Sequence, residues 1–146
     1  MTTPEYKTQE QTTPLETLIL QRREKKNRLL DNGQKPYGFR FVRSMALRAF
    51  LDHFGPLIPT PDDGSHNDTA SLPAVQLAGR LMTRRDLGKL CFAHIQDHTG
   101  RLQLKISRQE IGQEAYKAFL KDSDIGDILG ATGTPCRTKA GELSLR

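Results

Sequence analysis

In RLQLKIS (101–107), Leu102, Leu104 and Ile106 alternate with Arg101, Gln103 and Lys105. A strand sends successive side chains to opposite faces, so the apolar set takes the core and the polar set faces out. In CFAHIQD (91–97), Ala93 and Ile95 fit the core side, which leaves Phe92, His94 and Gln96 outside. A phenylalanine is out of place on a polar face, but beside cations and amides it suits single-stranded nucleic acid. Each base offers a π-face to stack, worth ~1–3 kcal/mol by substitution, and Gln or Arg can hydrogen-bond to its edge. The alternative is that Phe92 lies under a loop or closes the end of a barrel. An exposed strand histidine more often has no direct role, and none is assigned to His94. Glu142 is an acid beside this surface; a carboxylate repels phosphate but accepts hydrogen bonds from base N–H groups.

Charge points the same way. Between Val75 and Arg108 there are seven Lys/Arg (80, 84, 85, 89, 101, 105, 108) and two acids (Asp86, Asp97), a difference of +5. That equals the +5 of the whole 146-residue chain. A basic stretch favours an anionic partner, nucleic acid first and a membrane surface second. Arg84, Lys89, Arg101 and Lys105 are candidate phosphate contacts. Arg84 and Arg85 cannot both face one way unless a bulge follows Gly79, so parity leaves open which of them meets a ligand.

Other chemistry is not supported. There is no P-loop, nucleophile elbow or paired metal-ligand motif, and His53 and His66 have no partners at useful spacing. Neither catalytic nor metal-binding residues are expected. Cys91 and Cys136 have no metal spacing and suggest no disulfide framework, so a reducing cytoplasm is expected. No apolar run approaches a membrane span, and MTTPEYKTQEQTT lacks the core of a signal peptide. A hydrophobic fraction of 36% allows one modest core.

The elements that must position these residues can be read in order. Residues 1–12 are expected to be a disordered tail and 13–58 a helical N-terminal extension. Thr13 as N-cap, Pro14 and Glu16 open a first helix as a capping box, and Gly33 stops it. Its middle carries Arg22, Arg23, Lys25, Lys26 and Arg28 against Glu24 alone. KPYGFRF (35–41) is a connector whose aromatics dock on a barrel. Ser44 is the expected cap of a second helix with a stripe of Met45, Leu47, Phe50, Leu51 and Phe54. Residues 59–72 read as a loop.

From Val75 the period changes to two. A first strand is expected to end before a turn over 83–89, and strands at 91–97 and 101–107 are joined by the tight link 98–100. Residues 110–121 form one helix with Ile111, Ala115 and Phe119 or Leu120 inward. Residues 127–136 form a fourth strand, TKAG (138–141) a turn, and GELSLR (141–146) the start of a fifth. Three meander strands, a helix and two more strands is the order of an OB-fold. The fold expected for 73–146 is therefore a mainly β, five-stranded Greek-key barrel with an incomplete last strand, behind an N-terminal helical arm.

AGRLMTRRDLGKLCFAHIQDHTGRLQLKIS, followed by DIGDILGATGTPCRTKAGELSL, resembles the anticodon-binding domain of class II lysine–tRNA ligases. RREKKNRLLDNGQKPYGFRF looks like that family's leading helix and connector. The resemblance covers roughly residues 20–146. It implies recognition of the U-rich anticodon of tRNA(Lys). An aromatic at the position of Phe92 would stack on the central uridine, residues matching Arg85 and Gln103 would bond to that base, and Glu142 would contact a flanking base. The family's full enzymes use ATP and Mg2+ to attach lysine to tRNA, as cytoplasmic homodimers. The chain ends within the fifth strand, so a fragment without the catalytic domain is expected. The alternatives are a stand-alone single-strand-binding module and a non-catalytic relic.

Overall fold

The computed structural model describes residues 13–38, 40–60 and 71–146. The tail expected over 1–12 and most of the loop expected over 59–72 lie outside these. The chain divides into two units, Met1–Phe39 and Arg40–Arg146.

The first unit carries helix α1 (Pro14–Asp31). Its capping box is formed: the Glu16 amide donates to Thr13 Oγ1 at 3.3 Å, and the Thr13 amide donates to Glu16 Oε2 at 2.7 Å. These bonds occupy amide donors that a helix start otherwise leaves without partners. At the other end Gly33 adopts φ +70°, a conformation that costs glycine little. No residue of α1 is buried, and Leu15, Leu18 and Ile19 are exposed. Lys26 Nζ lies 5.9 Å from the centre of the Tyr37 ring.

In the second unit, helix α2 (Leu47–Phe54) precedes strands β1 (Val75–Asp86), β2 (Leu90–Gln96) and β3 (Arg101–Ser107). Helices α3 (Arg108–Ile111) and α4 (Gln113–Asp122) follow, then β4 (Ile128–Gly133), β5 (Pro135–Arg137) and β6 (Leu143–Leu145). The strands make one six-stranded sheet in the order β4-β1-β2-β3-β6-β5. Only β3 and β6 are parallel. The meander, helix and returning strands follow the expected order, but the sheet is not a closed five-stranded barrel. The expected fourth strand breaks at Thr134 into β4, which pairs with β1, and β5, which pairs with β6. Pro135 has no N–H for a continuous ladder.

The core is a single cluster. Leu47, Phe50, Phe54 and Ile58 come from the α2 segment, and Val75, Leu77, Leu81, Ala93, Ile95, Leu102, Leu104, Leu143 and Leu145 from the sheet. The extension expected over 13–58 therefore divides: α1 lies in the first unit, while α2 shares the core of the sheet. Burying Phe50 or Phe54 contributes roughly 1.5–3 kcal/mol each. Ser44 is not the cap of α2. It bonds to β1 instead, accepting from the Gln76 amide at 2.9 Å. The helix start is held from the β2–β3 hairpin: Asp97 Oδ2 accepts from the Leu47 amide, and Thr99 Oγ1 from that of Arg48, both at 3.1 Å. Phe41 packs over Gly130, where an added Cβ would sit 2.6 Å from the ring.

Two further expectations change. The helix over 110–121 is broken at Gly112 (φ +87°), and its buried anchor is Tyr116, while Ile111 and Ala115 are exposed. Strand β1 runs through Asp86 rather than turning at 83, because a bulge keeps it paired with β2: Leu81 opposes Ile95 and Thr83 opposes His94, so Met82 is the extra residue.

Candidate nucleic-acid interface

The bulge at Met82 decides which side chains face the site. Before it, Val75, Leu77 and Leu81 point inward; after it, parity reverses. Arg84 now opposes the buried Ala93, and Arg85 opposes Phe92. Arg84 turns to the end of α4, where its Nη1 donates to the Ser123 carbonyl at 2.9 Å and to Ser123 Oγ at 2.8 Å. Carbonyls at a helix end lack partners within the helix, and a cation there also meets the negative end of the dipole. Asp86, on the same side, accepts from the Tyr116 hydroxyl at 2.7 Å. That bond, with one from the Gly88 amide, holds the Asp86 carboxyl below its ordinary range. Burial, with the same bond, pushes the Tyr116 phenol up to about 12.

On the other face two rows cross the sheet. Arg85, Phe92 and Lys105 are register partners across β1, β2 and β3. Thr83, His94, Gln103 and Ser144 form the neighbouring row, which extends onto β6. Both rows, apart from the buried Ser144, floor a groove of about 580 Å³ whose wall is the turn bearing Lys139 and Glu142. Its lining holds three cations (Arg85, Lys105, Lys139) and one carboxylate (Glu142). An aromatic between two cations, beside a row of neutral donors and acceptors, can stack a base, meet its phosphate and bond to its edge.

Glu142 is held in place. The Gln103 amide donates to Oε2 at 2.8 Å, and His94 Nε2 lies 3.0 Å from Oε1. Gln103, only 9% exposed, has its carbonyl bonded by the Ser144 hydroxyl at 2.8 Å, which fixes which end of its amide faces Glu142. The turn itself is tight. Thr138 Oγ1 accepts from the Glu142 amide at 3.2 Å, and Gly141 adopts φ +85°. Arg137 anchors it to the α2 segment, donating to the carbonyls of Ile58 at 2.6 Å, Gly55 at 3.0 Å and Gly141 at 2.8 Å.

Arg85, Phe92, Gln103, Glu142 and Lys105 thus meet in one groove. Arg84 does not, and Lys89 lies on the β1–β2 turn outside the lining. Arg101 stands beside the second row, its guanidinium 3.4 Å from Thr83 Oγ1. Sequence reasoning missed Thr83, Ser144, Thr138, Lys139 and Arg137, and gave His94 no role. The shared parity of His94 and Gln103 was a usable signal; nothing local marks Arg137.

A charged, aromatic-floored groove on such a sheet defines a class. Residues 75–146 match the tRNA anticodon-binding family, described as an OB-fold nucleic acid binding domain. More narrowly, the chain is homologous to the N-terminal part of lysine–tRNA ligases. It is 40% identical over 128 residues to the lysine–tRNA ligase of Lysinibacillus sphaericus, a match covering 88% of this chain and 24% of that protein. With the lysine–tRNA ligase of Shouchella clausii it shares 40% over 129 residues (88% and 24%), and with that of Bacillus subtilis 38% over 125 (86% and 24%). The chain thus spans about a quarter of the length of the curated relatives it matches.

Proposed function

We propose that this chain reads the anticodon loop of tRNA(Lys) as the recognition part of a cytoplasmic lysine–tRNA ligase. In this reading Phe92 stacks on the central uridine, Arg85 and Gln103 bond to that base, and Glu142 accepts from a flanking base. Lys105 and Lys139 line the same groove and would meet the phosphates. The observation that carries the reading is the Arg85–Phe92–Lys105 row beside the Gln103–Glu142 pair within one groove. The whole protein would attach lysine to tRNA with ATP and Mg2+, and would work as a homodimer. Among the described residues no group of three or more His, Cys, Asp or Glu is placed to hold a metal ion, and no helix is long and apolar enough to cross a membrane.

Titration with anticodon stem-loops tests this. A UUU loop should bind more tightly than one with a changed central base, and Phe92→Ala should abolish the preference. Equal binding of all loops, with a salt slope of about −0.7 per phosphate neutralised, would mark a non-selective single-strand binder instead. No binding by a folded chain would leave neither reading standing.

A further inference from the structure

We propose that His94 is a positioning residue. It fixes the Glu142 carboxylate so that this group selects uridine over cytidine at the flanking position it reads. The inference rests on the anticodon reading above.

Glu142 is half-exposed, and a glutamate side chain in that setting has several rotamers open to it. Gln103 secures one oxygen only, which leaves the carboxylate free to swing about that bond. His94 Nε2 at the other oxygen removes this freedom and sets the plane of the group. His94 is itself held, with Nδ1 2.9 Å from Thr83 Oγ1. A neutral imidazole that donates from Nε2 must accept at Nδ1; the Thr83 hydroxyl stands 2.9 Å from Nδ1, where it can donate while its oxygen accepts from Arg101. Two donor chains therefore converge on Glu142: Thr83 to His94 from one side, Ser144 to Gln103 from the other.

Each carboxylate oxygen spends one lone pair on these bonds and keeps another for a ligand in the groove it lines. An acceptor held at a set angle discriminates by what a base presents. Uridine offers N3–H, which the carboxylate accepts. Cytidine offers a bare N3 lone pair, which it repels, and its N4 amine, the donor a carboxylate would accept from, lies one position further along the edge, so only a carboxylate held opposite N3 tells the two bases apart. A carboxylate free to swing could turn away from cytidine N3 and lose the distinction.

The test uses the full 146-residue chain and fluorescence anisotropy with UUU, CUU, UUC and UCU stem-loops at one salt concentration. Glu142→Gln identifies the flanking position that Glu142 reads. His94→Ala should reduce the preference for U at that position by about five-fold, the worth of one ordinary hydrogen bond, and leave the central preference intact. His94→Gln, which keeps a donor near Nε2, should restore most of it, and His94→Phe, which keeps the ring without the donor, takes the place of His94→Ala if that variant does not fold. Long-range 1H–15N spectra should show the Nε2–H tautomer in the parent chain and its loss in Thr83→Val. A flanking preference lost in Glu142→Gln but intact in His94→Ala would overturn the role of His94 alone. No change of preference in Glu142→Gln would overturn both that role and the reading of Glu142.

Discussion

Arg84 and Arg85 are neighbours in the chain and serve opposite sides of the sheet: Arg84 closes the end of α4, while Arg85 lies beside Phe92 in the groove. Substituting them should separate stability from binding. Arg84→Ala removes bonds from a charged donor to the end of a helix, and should cost about 1.5–3 kcal/mol of folding stability without changing loop affinity per folded molecule. Arg85→Ala should leave the melting midpoint nearly unchanged and weaken UUU-loop binding at least five-fold. Thermal melts and anisotropy titrations on the same samples check both. A melting loss in Arg85→Ala matching that of Arg84→Ala would show that the bulge does not divide the pair.

Asp97 links the β2–β3 hairpin to α2, and its ionisation should be visible in acid. Burial opposes its charge, but bonds from the Thr99 hydroxyl and from the amides of Leu47, Thr99 and Gly100 outweigh that and hold it down to about 2. Its folded value lies below the unfolded one. The stabilisation is therefore complete above the ordinary aspartate range of about 4 and is lost as pH falls toward 2. Asp97→Asn should cost about 1–2 kcal/mol at neutral pH, allowing for solvent screening, and the gap from the parent should close near pH 2. Denaturant midpoints measured across that range test it.

Tyr116 makes the corresponding prediction at the alkaline end. Its phenol is pushed up to about 12, so its stabilising effect is present below the ordinary tyrosine range of about 10 and is lost as pH rises through 12. Tyr116 should ionise late in an ultraviolet titration, and Tyr116→Phe should remove that step. The same substitution removes the main bond holding the Asp86 carboxyl low, so that carboxyl should titrate closer to its ordinary value.

Arg137→Lys tests the anchor of the Glu142 turn. A lysine keeps the charge but cannot reproduce a planar fork aimed at three carbonyls. The variant should bind the UUU loop less tightly and lose preference at the flanking position before the central one. Unchanged selectivity with a normal melt would show that the turn holds its shape without Arg137.

The sequence was readable where structure is local. The capping box at Thr13 and Glu16, the alternation of 101–107 and the TKAG turn each declare themselves within a few residues. What stayed hidden depends on distant partners. The cap of α2 comes from Asp97, fifty positions away, and so outranks the nearby Ser44. No residue type marks the bulge at Met82, which follows from keeping β1 paired to β2. Pro135 and Gly112 were visible signals of a broken strand and a broken helix, each hidden by reading its run as one element. In the site, parity placed Phe92 and Gln103 on one face. It could not show that Gln103 is buried beneath Glu142, because Glu142 arrives from the turn before β6.

The break at Thr134 gives the sheet an unusual mechanical property. Strands β4 and β5 are the two ends of the hydrogen-bonded strip, yet only Thr134 separates them in the chain. Its amide and carbonyl both bond to Arg146, at 2.8 Å. The two margins of the strip, though not paired with each other, are tied through one residue. Fraying at either end pulls on the same residue, so the margins of the sheet should loosen together, and amide exchange along β4 and β5 should share a single opening event.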